Sequence, residues 1–127
     1  MRLLVTRLGR QTYALDAAEV ASLEPLAGAP AGAVWLHDLL GYDGAPAYRM
    51  PLLAKLRGHS EAIVLDGMEE ILEADLAALR PLPPLVERHS LRRGLWGILP
   101  RPGDLLFLLD LGTFRKPMSN AAMKEEP

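Results

Sequence analysis

One pattern of short β-forming segments occurs twice in the sequence, and this repeat constrains the fold more than any other feature. Residues 3–15 form two such segments around a glycine-containing turn, and residues 52–65 do the same. Each pair ends in Leu-Asp, at Asp16 and at Asp66. Apolar runs of about four to eight residues between Gly and Pro turns are typical of β-strands. The repeat therefore predicts a duplicated, all-β architecture with little helix.

The two halves also end alike. Residues 34–41 and residues 107–112 are apolar runs that lead into Asp-Leu, and we expect each to be a strand that ends there. Residues 94–99 and 105–109 flank a turn with two prolines and a glycine, which predicts a hairpin. Its second arm is apolar throughout, so we expect that arm to be a central strand. Two related β subdomains follow from these patterns.

Composition limits the classes of function. The chain has 127 residues, 50% of them hydrophobic and 24% charged, which suits one globular domain. Its net charge of −2 gives no general attraction to nucleic acid or anionic lipid. It has no cysteine, which favours a reducing compartment, and we expect a cytoplasmic protein. Arg7 interrupts the first apolar run, and no later run approaches the ~20 residues of a membrane span, so neither export nor membrane insertion is expected.

Helix and disorder are expected in two places. Residues 75–80 can form one or two helical turns, with Asp75 as the N-cap, before a proline-rich stretch forces extended backbone. From Lys116 onward the sequence has no regular apolar face, and residues 116–127 are predicted to be a flexible C-terminal tail.

Most conspicuous side chains have a structural explanation. Aromatic and large aliphatic residues in short strands usually fill a small barrel, so Trp35, Trp96, Phe107 and Leu108 are expected in the core. Aspartates that follow apolar runs usually accept hydrogen bonds from backbone amides at turns or helix starts. Four aspartates have this context: Asp16, Asp38, Asp66 and Asp110.

No pattern in the sequence indicates catalysis or a cofactor. His37, His59 and His89 lie far apart and lack the spacing that places two metal ligands on one face. His37-Asp38 and His89-Ser90 are adjacent pairs, and neighbours on a strand point to opposite faces, so neither is arranged as a catalytic dyad. Glycine-rich phosphate loops, nucleophile elbows and clustered acid pairs are not found in the sequence. We therefore expect a protein that is not an enzyme and binds no cofactor or metal.

The order and spacing of three stretches resemble the CheW family, adaptors that link chemoreceptors to the CheA histidine kinase. The stretches are residues 4–20, residues 35–39 and residues 62–111, and together they cover most of residues 3–114. The resemblance implies an all-β CheW-like domain over 1–115, with two small SH3-like, barrel-like subdomains at about 1–45 and 46–115 that share a core. It also implies a non-enzymatic adaptor of a chemosensory or motility system. Its partners would be a chemoreceptor cytoplasmic tip, a CheA-type kinase regulatory domain, or both.

The chain departs from the family between Leu26 and Val34. Only seven residues lie there, where the family has a longer loop and a strand that ends in Asn-Leu-Arg-Gly. Gly32 can stand for the final glycine, but Ala31 then takes the place of an arginine that in the family helps to hold the receptor. We expect the first subdomain to lack about one strand, which leaves an open sheet edge near residues 26–36. This edge is a candidate surface for a second copy or a different protein, and the loss suggests that one of the family's two couplings is retained.

The candidate partner interface has two parts. The first is an apolar, exposed patch around Val20 and Leu23, with Ser22 and Ala31 beside it; a charge at Val20 or Leu23 is expected to weaken binding without unfolding the chain. The second is a basic loop that contains Arg88, Arg92 and Arg93 and can orient an acidic partner. The same loop lies close to Trp96 in sequence, which leaves one alternative open: a small β-barrel that binds single-stranded nucleic acid by stacking and phosphate contact.

Overall fold

A computed structural model describes residues 1–28, 32–44, 46–82 and 94–111. Within them lie ten strands, two 3-10 helices and one short α-helix. The strands are β1 (Arg2–Leu8), β2 (Gln11–Asp16), β3 (Val20–Pro25), β4 (Ala33–Trp35), β5 (Pro51–Leu56), β6 (Ala62–Asp66), β7 (Glu70–Glu73), β8 (Arg80–Pro81), β9 (Leu95–Arg101) and β10 (Asp104–Leu109). The α-helix α1 spans Leu36–Leu39, and the 3-10 helices span Ala17–Glu19 and Leu76–Ala78. No helix of these residues is long and apolar enough to cross a membrane.

The strands form two sheets. A six-stranded sheet has the order β7-β1-β2-β10-β9-β8, and a four-stranded sheet has the order β3-β5-β6-β4. The predicted hairpins are present, since β1 pairs with β2, β5 with β6, and β9 with β10, all antiparallel. The expected all-β fold with little helix is therefore confirmed.

The sequence repeat is visible in the sheet topology. Hairpin β1-β2 lies between β7, which is antiparallel to β1, and β10, which is parallel to β2. Hairpin β5-β6 lies in the same way between β3 and the parallel strand β4. Leu108 pairs with Ala14 in the first set, and Trp35 pairs with Val64 in the second. Since Ala14 and Val64 each stand two residues before the repeated aspartate, Trp35 is the counterpart of Leu108.

The third strand of each repeat joins the sheet of the other repeat. β3 follows hairpin β1-β2 in the chain but pairs with β5, and β7 follows hairpin β5-β6 but pairs with β1. Each sheet thus contains strands from both predicted halves, so hydrogen bonding does not separate residues 1–45 from residues 46–115. The division into two subdomains at that boundary stays a prediction.

A core shared by both sheets holds the repeats together. The main cluster of buried side chains includes Leu8 and Leu15 of the six-stranded sheet and Leu56, Ile63 and Leu65 of the four-stranded sheet. A second cluster lies within the six-stranded sheet and includes Leu106 and Leu108 of β10. Successive side chains on a strand point to opposite faces. On the other face of β10, Leu109 belongs to the main cluster and Phe107 packs against it. Residues 106–109 of β10 are therefore covered on both faces, which explains their apolar sequence, and β10 has the expected central position in the sheet.

The β9-β10 turn is closed by an ion pair. Arg101 pairs with Asp104 across a two-residue turn in which Gly103 has a φ of 88°. The Arg101 guanidinium donates to both Asp104 carboxylate oxygens, at 2.7 and 3.1 Å, and to Glu70 at 3.0 Å. These bonds hold the pKa of Asp104 below its ordinary value and raise the pKa of Arg101.

The strand predicted over residues 34–41 is wrong beyond Trp35, where the chain turns into helix α1. Strand alternation would place Leu36, Asp38 and Leu40 on one face and would bury Asp38 with the leucines. In the structure Leu36 and Leu40 are both buried in the main cluster, whereas the Asp38 side chain is 66% exposed. Since residues four apart share one face of a helix, the helical turn buries the leucines without the carboxylate.

The expected roles of the aspartates are confirmed at three positions. Asp16 accepts a hydrogen bond from the Ala18 amide at 3.0 Å, at the start of the first 3-10 helix. Asp66 accepts from two amides of the segment before β5, both at 2.8 Å. Asp75 caps the second 3-10 helix as predicted, with its carboxylate 3.0 Å from the Ala77 amide. Asp38 differs, because its carboxylate lies 3.5 Å from Nε2 of His37.

The core prediction for the four large side chains is correct in part. Leu108 is buried, and Phe107 is half-buried against the main cluster. Trp35 is half-buried as well. The prediction is wrong for Trp96, which is 41% exposed. Trp96 lies on β9, and the side chains on either side of it in sequence are buried or absent. Because neighbouring side chains on a strand point to opposite faces, the indole ring points outward.

Candidate partner-binding surface

Val20, Ser22 and Leu23 lie on β3, the outer strand of the four-stranded sheet. Val20 pairs with Leu56 and Ser22 pairs with Lys55, so the ladder has a bulge between them. Bulges twist an edge strand and interrupt its hydrogen bonding. Among the described residues no strand pairs with the other side of β3, which leaves this edge open for a partner.

The expectation that Val20 is an exposed apolar residue is wrong. Its side chain is only 8% exposed and belongs to the main cluster. Leu23 is half-buried against the same cluster, and Ser22 is half-buried. Val20 sits where β3 leaves the 3-10 helix, and its position opposite buried Leu56 directs it into the core. The role of these residues in partner binding stays a prediction, but a charge at Val20 will act first on stability.

Arg57 holds the start of β3 in place. Its guanidinium donates to the Ala18 carbonyl at 3.1 Å and to the Val20 carbonyl at 3.0 Å, and its own amide donates to the Glu19 carbonyl at 2.8 Å. Hydrogen bonds from a charged donor are stronger than neutral ones. The bulged segment is therefore a defined structure, anchored from the β5-β6 turn.

The remaining predicted interface residues are Ala31, Arg88, Arg92 and Arg93. All four lie outside the described residues, as do residues 116–127 of the predicted tail.

A second surface lies at the other edge of the four-stranded sheet, in the region where the sequence predicts an open edge. β4 ends at Trp35, and the Trp35 ring meets the Tyr48 ring edge-on at a centroid distance of 4.9 Å. The Tyr48 hydroxyl accepts a hydrogen bond from the His37 amide at 3.0 Å and lies 2.9 Å from His37 Nδ1. Asp66 fixes the segment after Tyr48 through its bonds to the Arg49 and Met50 amides. The aromatic cluster is thus held by two separate sets of hydrogen bonds.

Beside this cluster is an open groove of about 600 Å³. Aromatic rings and prolines form its walls, and the Asp38 side chain, 66% exposed, lies at its rim. Rigid aromatic surface next to one exposed charge is a common feature of sites that bind a polypeptide segment. The groove is lined by Trp35, His37, Asp38, Pro46, Tyr48 and Pro51.

Burial raises the pKa of Tyr48 to about 12, although the hydrogen bond from the His37 amide acts in the opposite direction. The neutral phenol is thus favoured in the folded state, so its contribution to stability is complete below pH 10 and is lost as the pH rises towards 12. We expect one of the tyrosines to titrate near pH 12 in the folded protein, as followed by tyrosinate absorbance. Tyr48→Phe should remove that step, and a tyrosine titration that ends near pH 10 in the folded protein would contradict the assignment.

The sequence does not predict the groove, because a strand over residues 34–41 leaves His37 without a partner and places Trp35 in the core. The available signal was the segment Pro46-Ala47-Tyr48-Arg49-Met50-Pro51, in which an aromatic residue stands between two prolines in a loop. Proline fixes φ and lacks a backbone donor, so the residues between the two prolines are stiff and unlike the interior of a strand, and the second proline stands at the start of β5.

No family model matches the chain, and neither does any curated protein. A solved structure does match: the scaffolding protein TtCheW from Thermoanaerobacter tengcongensis, with a TM-score of 0.72 and 14% sequence identity. The match covers 87% of this chain and 84% of that chain. The predicted CheW-like, all-β fold is therefore confirmed.

Proposed function

We propose that this chain is a non-enzymatic adaptor of a bacterial chemosensory or motility system, acting in the cytoplasm. The observation that carries the proposal is the similarity of fold to a CheW scaffolding protein over most of both chains. A scaffold needs surfaces that bind other proteins, and the four-stranded sheet provides two, the edge at β3 and the groove beside β4. The partners are a chemoreceptor cytoplasmic tip, a CheA-type kinase regulatory domain, or both.

A shortened first subdomain is part of the proposal. In the six-stranded sheet, β9 and β8 lie beyond β10, whereas no described strand lies beyond its counterpart β4. This difference supports the loss of about one strand near residues 26–36. A receptor-holding arginine is replaced by Ala31 in the same region, so we propose that coupling to the kinase is the interaction retained, with Ser22 and Leu23 at the contact and Arg88, Arg92 and Arg93 orienting the partner.

The proposal is tested by measuring binding to the two partners separately. We expect the purified chain to bind an isolated CheA-type regulatory domain in calorimetry and to bind a receptor cytoplasmic tip at least tenfold more weakly. Ser22→Arg should weaken kinase binding, because its long side chain would obstruct the approach of a partner to the β3 edge. Ala77→Arg is the matched control, since it adds the same charge at an exposed position on the 3-10 helix after β7.

Three outcomes are informative. The proposal is supported if the chain binds the kinase domain and if Ser22→Arg, but not Ala77→Arg, weakens that binding. Binding of the receptor tip alone reverses the choice of partner. Failure of the folded chain to bind either protein contradicts an adaptor of this class.

A further inference from the structure

We propose that β4 accepts an extended segment of a partner protein as an added antiparallel strand, and that the segment carries a basic residue that pairs with Asp38. The inference goes beyond the adaptor proposal, because it depends only on this edge and its groove and holds for any partner that supplies such a segment.

The internal repeat shows how a strand fits at this edge. β10 and β4 are counterparts, and the outer side of β10 is covered by β9, which runs antiparallel to it. In that ladder Leu106, Phe107 and Leu108 pair with Leu99, Ile98 and Gly97. The counterparts of the β10 residues are Ala33, Val34 and Trp35. No described strand takes the place of β9 beside them.

The backbone of β4 is oriented for this pairing. The Gly32 carbonyl accepts a hydrogen bond from the Ala62 amide at 3.4 Å, so Gly32 faces β6. Because backbone groups alternate along a strand, Val34 faces β6 as well, and the amides of Ala33 and Trp35 point away from it. An added strand would pair with these outward groups, which is how extended peptides join exposed sheet edges in many complexes.

The groove defines the side chains that the added strand can carry. Gly97, the β9 residue opposite Leu108, must be glycine because a Cβ there would lie 2.8 Å from the Arg80 carbonyl of β8. No described strand beyond β4 corresponds to β8, so the residue opposite Trp35 is free of that restriction. The Trp35 and Tyr48 rings and the two prolines suit an aliphatic side chain at that position.

The charge at the groove favours a basic segment over a second copy of this chain. Asp38 is exposed, and its carboxylate lies 3.5 Å from Nε2 of His37. A lysine or arginine two residues before the one opposite Trp35 would lie towards α1 and Asp38. A second copy that paired through its own β4 would supply no such cation, because residues 32–44 contain neither lysine nor arginine.

The test uses the full chain and the labelled peptide Arg-Thr-Val-Ile-Leu-Thr-Ser, whose valine would lie opposite Trp35. We expect saturable binding by fluorescence anisotropy, with amide shifts in NMR spectra at Ala33 and Trp35 and none along β3. Ala33→Pro removes one outward donor and leaves the bonds to β6 intact, and we expect it to weaken binding at least tenfold. Ala33→Ser keeps the donor and is the matched control.

A charge exchange gives a second, independent readout that does not depend on the proline variant. Asp38→Lys should weaken binding of the arginine peptide about fivefold or more and improve binding of the same peptide with glutamate in place of arginine. Asp43→Lys makes an equal change of charge at an exposed residue outside the groove and should have no such effect.

The inference is overturned if the folded chain does not bind the peptide at millimolar concentration. It is also overturned if Ala33→Pro and Ala33→Ser bind equally, or if the charge exchange at Asp38 has no effect. A dimer in analytical ultracentrifugation that Ala33→Pro dissociates would assign the edge to a second copy instead of a basic partner segment.

Discussion

Val20→Asp is expected to lower the free energy of unfolding by about 3 kcal/mol, because it places an unpaired carboxylate in an apolar core. Val20 is 8% exposed and lies in the main cluster with Leu56, its partner on β5. The folded state can avoid the charge by protonating the carboxyl group, at a cost in free energy at neutral pH, or by moving the start of β3 outward. That movement would break the two hydrogen bonds from Arg57 to the carbonyls of Ala18 and Val20. Urea unfolding followed by circular dichroism measures the change.

The control for this experiment is Ser22→Asp, two residues along the same strand. Ser22 is half-buried, so we expect its substitution to change stability by less than about 1 kcal/mol. Any loss of partner binding in Ser22→Asp would then report on the β3 edge itself. If Val20→Asp were as stable as the unsubstituted chain and lost only partner binding, Val20 would belong to the surface, as its sequence context predicts.

Leu36→Ala is expected to destabilise the chain by about 2–5 kcal/mol, the usual range for removing a fully buried leucine side chain. Leu36 has no exposed surface. It is the first residue of α1 and stands between β4 and His37, the residue that contacts Tyr48. Its loss should also loosen the groove, because α1 carries His37, whose amide and ring both contact the Tyr48 hydroxyl. Thermal and urea unfolding give the stability change, and the Tyr48 titration reports the groove.

Leu39→Ala is the matched control, since it removes the same atoms from the same helix. Leu39 is half-buried against the main cluster, so we expect less than half the effect of Leu36→Ala. Equal effects at the two positions would contradict the difference in burial between Leu36 and Leu39.

The segment that begins at Leu36 shows why a short apolar pattern does not distinguish a strand from a helical turn. The run Val34-Trp35-Leu36-His37-Asp38-Leu39-Leu40-Gly41 is apolar enough for a strand and too short to show helical periodicity. Only the position of the core decides which of its residues can be buried together. With the core on one side, a helical turn buries Leu36 and Leu40 and exposes Asp38, and a strand cannot do so.

The exposure of Trp96 and the burial of Val20 have a similar cause. Both residues lie in short strands where either face is chemically acceptable, and the pairing of β9 with β8 and β10, and of β3 with β5, determines which face meets the core. A shift of one residue in a ladder exchanges the two faces. Registers between strands far apart in the chain depend on packing that a single sequence does not display.

The sequence by itself determined the features that depend on neighbouring residues. The hairpins follow from turn residues between short β-forming runs, the caps at Asp16 and Asp75 follow from one side chain and the amide two residues later, and the duplication follows from direct repetition. Only the tertiary structure decided that the third strand of each repeat crosses to the opposite sheet, and that Trp35, His37 and Tyr48 meet. The physical reason is that turns and caps are stabilised within a few residues, whereas strand order and groove geometry depend on burying one common core from distant parts of the chain.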